Sequence, residues 1–131
     1  MIIRHIKNWI THGESTIMTE LAGGIEKIDS IILDRAIDQK DPMALKALNQ
    51  MIHWLGVWFF NLYVSYNVNC LVIGGGLVNM GEKLLGPMRK EFDRYNHDER
   101  PVFFKTAECG EDCGSLGASQ LLLNALRKDI N

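Results

Sequence analysis

The short apolar run Cys70–Ile73, CLVI, stops at three consecutive glycines, Gly74, Gly75 and Gly76, and leads into LVNMGEKLL, which has helical spacing. An apolar segment of that length ended by glycine predicts a strand buried on both faces within a parallel sheet. Glycine loses more backbone freedom on folding than any other residue, so three in a row need a physical reason. A second strand is predicted in PVFFKTA, residues 101–107, with Val102, Phe104 and Thr106 on one face. Between the two strands the pattern predicts a helix from about Met80 to Tyr95, kinked or restarted at Pro87. After the second strand, CGEDCGSLGASQLLLNALRK reads as a loop running into a closing helix from Asp112 or Cys113. The second half is therefore strand–helix–strand–helix, an α/β pattern with a right-handed crossover.

The first half reads as helical. Ile2, Ile6, Trp9 and Ile10 make one apolar stripe, stopped by Gly13; GESTIMTELAGG is a linker or short helix closed by Gly23 and Gly24. Asp29 or Ser30 is a natural N-cap for a helix whose inward stripe is Ile32, Leu33, Ala36 and Ile37. That helix ends near Lys40, because Pro42 disfavours helical geometry at Asp41 and suits the first turn of the next helix. The next helix, about Pro42 to Tyr66, begins amphipathic and becomes apolar nearly all round from Trp54, which predicts burial on two sides. Its uncharged stretch Met51–Tyr66 is too short to span a bilayer comfortably and contains His53, Gly56 and Asn61. Trp54, Trp58, Phe59 and Phe60 suit a core or a subunit interface.

A chain of 131 residues with 47% hydrophobic and 23% charged residues is long enough for a sizeable core and suits a single, partial domain over 1–131. The net charge of −2 and the lack of a basic block argue against a direct nucleic-acid partner. Three cysteines, Cys70, Cys109 and Cys113, fit small buried free thiols in a reducing cytoplasm, and their spacing is a poor match to zinc sites. No signal peptide is legible at the N-terminus. The four histidines are scattered: His53 reads as a hydrogen-bonded core residue and His97 as solvated loop. Asp112, in the acidic loop with Glu108 and Glu111, reads as a helix N-cap.

Several chemistries could use the triple glycine. A P-loop fails, because Glu82 follows Gly81 where the phosphates require lysine. A dinucleotide fingerprint is broken by Asn79. A tight strand-to-helix turn without ligand remains open, as does a bare backbone against which a nucleotide lies at the carboxyl edge of a sheet. A second small-residue set, Gly114, Gly117 and Ala118, makes one smooth helical ridge, suited to close helix–sheet packing or to ligand contact. Adjacent parallel strands would bring both glycine sets to the same sheet edge, the ridge beside the turn.

In order and spacing, Leu55–Gly56, Asn61, Gly74–Gly76, Leu84–Leu85–Gly86–Pro87 and Gly114–Ala118 resemble the C-terminal part of ROK-family proteins, bacterial sugar kinases and their repressor relatives. DQKDPMALKAL is similar to the family's Gly-Asp-x-x-Ala helix start, with Lys40 in place of the glycine. The resemblance covers about residues 26–126. It implies the C-terminal portion of an actin-like ATPase (ribonuclease H-like) lobe, helix-rich with a short parallel strand pair. It implies that Gly74, Gly75 and Gly76 lie against the adenosine of ATP, with Asn79 as a further nucleotide contact and magnesium accompanying the nucleotide. The family's Asp-x-Gly-Gly-Thr phosphate motif, its catalytic aspartate, its Glu-x-Gly-His sugar motif and its cysteine-rich zinc motif have no counterpart in these residues. The expectation is thus a nucleotide-binding lobe without catalytic or metal residues of its own, not catalytic alone. Its parent phosphorylates a hexose or N-acetylhexosamine, and the alternatives are the effector lobe of a sugar-responsive repressor or a non-catalytic oligomerisation module. An unpaired edge on the strand Cys70–Ile73 would favour a homo-oligomer or a complementing chain.

Overall fold

The structure, a computed structural model, describes residues 2–98, 100–109 and 112–128. Its helices are α1 (Ile2–Thr11), α2 (Met18–Ala22), α3 (Ser30–Asp38), α4 (Pro42–Tyr66), α5 (Glu82–Asp93) and α6 (Cys113–Lys128). Strands β1 (Cys70–Ile73) and β2 (Phe103–Thr106) form a parallel pair.

The helix ends follow local chemistry. Asp29 caps α3 by accepting from the Ile32 N–H at 2.9 Å. Gly23, at φ 66°, closes α2 in the left-handed conformation. Asp41 caps α4 by accepting from the Ala44 N–H at 2.8 Å, with Pro42 in the first turn. The same carboxylate accepts from Thr16 Oγ1 at 3.0 Å and from the Ile17 N–H at 3.1 Å. Three donors thus satisfy an acid that is only 4% exposed, and they tie the segment before α2 to the head of α4.

Lys40, between α3 and α4, sits at φ 58°, a left-handed conformation that strains a residue with a Cβ. This is the position where the family pattern has glycine. Lys40→Gly is expected to stabilise the chain by about 0.5–1 kcal/mol, the relief of strain being partly offset by the freer unfolded chain. Thermal unfolding measures this, and a lower midpoint would contradict it.

Two apolar clusters share α4. Ile6, Met18, Leu33, Ala36, Met43, Ala44, Ala47 and Leu84 form the first, where α1, α2 and α3 cover the early turns of α4. Phe59, Tyr63, Leu71, Ile73, Leu85, Met88 and Phe92 form the second, joining the later turns of α4 to α5 and the inner face of the sheet. Phe92 is fully buried, with the rings of Phe104, Tyr63 and Phe60 edge-on at 5.1, 5.8 and 6.1 Å. Leu55 packs against both clusters, so α4 is the common wall.

Two expectations about burial are corrected. The sheet is covered on one face only: Leu71 and Ile73 are buried, whereas Val72 and Phe103 are more than half exposed. Likewise α4 is covered on one side, and Trp54 and Trp58 are exposed. An apolar pattern fixes which faces require cover, not which part of a chain supplies it. Of the two alternatives at Pro87, a restart is not what the structure shows: α5 runs through Pro87 as one helix, and a 3-10 turn over Gly76–Met80 precedes it. No helix among the described residues is long and apolar enough to cross a membrane.

Candidate functional site

The site is built where the two strands end. The parallel register sets Ile73 beside Thr106, and the Ala107 N–H donates to the Ile73 carbonyl at 2.8 Å. The chain therefore leaves β1 and β2 side by side, one exit entering Gly74–Gly76 and the other the segment before α6. Carboxyl edges of parallel strands are where α/β sheets receive ligands.

Gly74 is exposed, and Gly75 adopts φ 77° and ψ −170°, a region open essentially to glycine. A Cβ built at Gly75 would meet no atom within 4 Å. Backbone conformation, and not crowding by neighbouring protein atoms, is what requires glycine there, and the space above it is open. The turn closes through the Val78 N–H donating to the Gly75 carbonyl at 3.1 Å and the Gly81 N–H to Val78 at 3.0 Å. Asn79 is exposed within that turn. Gly81, at φ 55°, then starts α5, its carbonyl accepting from Leu84 and Leu85.

Ion pairs hold α5 beneath the turn. Lys83, in its first turn, reaches Asp38 at 2.5 Å and Asp34 at 3.1 Å on α3, and these carboxylates stabilise its charged form. Exposed pairs of this kind add little stability but fix the helix's start. At the other end Glu91 is nearly buried and accepts from Arg94 at 2.8 Å and Tyr95 Oη at 3.3 Å, with His53 Nδ1 at 2.9 Å. His53 is thus hydrogen-bonded as expected, yet half exposed on α4 rather than in the core. Its hydrogen bond, then that of Arg94, holds the Glu91 carboxyl below the ordinary 4.5. A depressed carboxylate pKa contributes stability above the unfolded value and loses it as pH falls toward the folded one. Between about pH 5 and 3 the native chain should therefore lose more of its melting temperature than Glu91→Gln does. Parallel acid limbs for the two proteins would contradict this.

The second half of the expected site is not assembled. Cβ atoms built at Gly114 and Gly117 meet nothing within 4 Å, and the described side chains of α6 are exposed. The smooth ridge therefore packs against neither the sheet nor the glycine turn. Two strands of four residues offer α6 too little surface to hold it. Asp112 precedes α6, and its carbonyl accepts from Ser115 Oγ at 3.1 Å. The cysteine expectation is also corrected: Cys70 is free but exposed, and Cys109 is exposed and disulfide-bonded. Among the described residues no group of three or more His, Cys, Asp or Glu could hold a metal ion. Sequence reasoning missed the role of Gly56, whose missing side chain lets α5 approach α4; only its place in an apolar helix hinted at it.

This arrangement, a parallel strand pair with a glycine turn at its carboxyl edge and a helical wall behind it, is that of an actin-like ATPase lobe. A crystal structure of a ROK-family glucokinase from Streptomyces griseus, in complex with glucose and AMPPNP, superposes with a TM-score of 0.76 at 25% identity, covering 92% of this chain and 40% of that one. The glucokinase of Thermotoga maritima is 30% identical over 126 residues, 92% of this chain and 39% of the relative. That of Halalkalibacterium halodurans is 32% identical over 89 residues, 66% of this chain and 27% of the relative. The sequence pattern of the ROK family matches residues 14–125, and the chain belongs to that family. It spans two fifths or less of the length of these relatives.

Proposed function

We propose that this chain is the nucleotide-binding C-terminal lobe of an ATP-dependent sugar kinase. The observation that carries the reading is the side-chain-free backbone at Gly74, which is exposed, and Gly75, above which the space is open, at the shared carboxyl edge of β1 and β2. A flat adenosine can lie against such a backbone, whereas any side chain at Gly75 would project into the space it needs. Asn79, exposed in the same turn, supplies an amide able to hydrogen-bond the nucleoside.

The solved Streptomyces griseus relative holds AMPPNP and glucose, and it supports ATP as the phosphoryl donor here. In the complete kinase the γ-phosphate of ATP passes to a hexose or N-acetylhexosamine hydroxyl. Phosphoryl transfer of this kind depends on positioning and on neutralising charge at the phosphates. This lobe's share is the positioning: it anchors the nucleoside end, so that the triphosphate extends toward residues supplied by the rest of the kinase. Magnesium accompanies the phosphates, and the described residues of this chain offer no group of ligands for it. The sugar site and the catalytic base likewise belong to the rest of the kinase, so the chain alone binds nucleotide without turning it over. Homo-oligomerisation or a complementing chain would cover the open edge of β1.

Calorimetric titration of the folded chain with ATP and with ADP tests the assignment. Saturable binding of both is expected, with ADP close to ATP because the contacts are to the nucleoside. Absence of binding at millimolar nucleotide, with the chain folded by circular dichroism, would overturn it.

A further inference from the structure

The turn that precedes α5 hangs between two glycine joints. Gly75 adopts φ 77° and ψ −170°, and Gly81 adopts φ 55° and ψ −145°. Glycine torsions are soft, so neither joint by itself fixes how the turn is aimed. Val78 leans on the second apolar cluster and Met80 on the first, both partly buried. Such contacts are non-directional and set the depth of the turn rather than its orientation. Orientation is left to the two flanking elements, β1 in the sheet and α5 at its first turn.

The first turn of α5 is held in two ways. Leu84 and Leu85 are buried and set how deep the helix sits. Lys83 supplies direction, because its ammonium meets Asp38 at 2.5 Å and Asp34 at 3.1 Å, carboxylates one turn apart on α3. That anchor is firm: Leu33, Ala36 and Ile37 of α3 are buried in the same cluster as Leu84. The pairs of Arg89 with Glu82 and of Arg94 with Glu91 stay within α5 and its end, and cannot orient it against another element. His53 reaches Glu91 only at the far end of the helix. Lys83 is therefore the cross-link beside the glycine turn.

We propose that Lys83 is a positioning residue for the nucleotide: tied to Asp34 and Asp38, it aims the turn Gly75–Gly81 at the nucleoside without touching it. This rests on the nucleotide-lobe reading and adds to it a residue that controls the site's affinity through α3.

Two measurements on the folded chain test it. The first needs no nucleotide. It follows, by NMR, amide exchange at Val78 and Gly81, whose N–H groups close the turn. Lys83→Met is expected to speed both about threefold, the scale of an exposed ion pair. The second is calorimetric titration with ATP. Lys83→Met is expected to weaken binding about threefold, and Lys83→Arg, which keeps a cation between the carboxylates, to bind as the native chain does. In the background Asp34→Asn/Asp38→Asn, Lys83→Met is expected to cause no further loss. Melting temperatures should stay within about 4 °C of the native value throughout, since these side chains are partly exposed.

A loss of ATP affinity that persists in the asparagine background would mean that Lys83 touches the ligand itself, and would overturn the proposal. So would native exchange or native affinity in Lys83→Met, or a Lys83→Arg chain as weak as Lys83→Met. A native chain that binds no ATP removes the nucleotide reading instead, and exchange at Val78 and Gly81 then still decides whether Lys83 holds the turn.

Discussion

Gly56→Ala is expected to destabilise the chain by about 1–3 kcal/mol, despite the gain in helix propensity of nearly 1 kcal/mol that alanine brings in isolation. A Cβ at Gly56 would stand 2.7 Å from Glu91 Cγ, 2.8 Å from Glu91 Cβ and 3.1 Å from the Phe92 backbone nitrogen. Neither Glu91 carbon is the free end of a side chain, and the Phe92 nitrogen belongs to α5 itself. Relief therefore requires α5 to move away from α4. Such a movement would loosen the aromatic packing around Phe92 and lengthen the hydrogen bonds that Glu91 accepts from His53 and Arg94. At roughly 4 °C per kcal/mol for a chain of this size, the melting temperature should fall by about 4–12 °C. Gly56→Val should be worse. An unchanged or higher melting temperature for Gly56→Ala would mean that the helices have slack at this crossing.

The second large effect is expected at Gly75. Gly75→Val should weaken ATP binding at least tenfold and also lower stability by about 1–3 kcal/mol, because valine is strained at φ 77° and ψ −170°. The two losses have different origins. The strain is a property of the turn, since no protein atom lies within 4 Å of the added Cβ. The binding loss is a property of the space above the turn, which the nucleoside would occupy. Gly75→Ala shares most of the backbone strain and carries fewer atoms, so it should match the stability loss more closely than the binding loss. Titrations run at low temperature, where circular dichroism shows each variant folded, separate the two effects. Full ATP affinity in a folded Gly75→Val chain would remove the nucleotide from this turn.

The fold's local features were legible because they are set within a few residues. Asp29 and Asp41 cap helices through N–H groups three positions on, Pro42 opens a helix and Gly23 closes one by accepting positive φ. The strand Cys70–Ile73 was legible from its composition and its glycine boundary, and the family from the order of several short motifs. Pro87 did not end α5, because its cost falls on one hydrogen bond that burial of Leu84, Leu85 and Met88 on the same helix outweighs.

What the sequence by itself determined, then, is where each element starts and stops, which faces are apolar and which residues are bare. The tertiary structure alone decided that Gly56 is a helix crossing, that His53 meets Glu91, and that α6 finds no cover among the described residues. The reason is one of range. Backbone sterics and capping bonds act over a turn of chain, whereas burial depends on every other surface present.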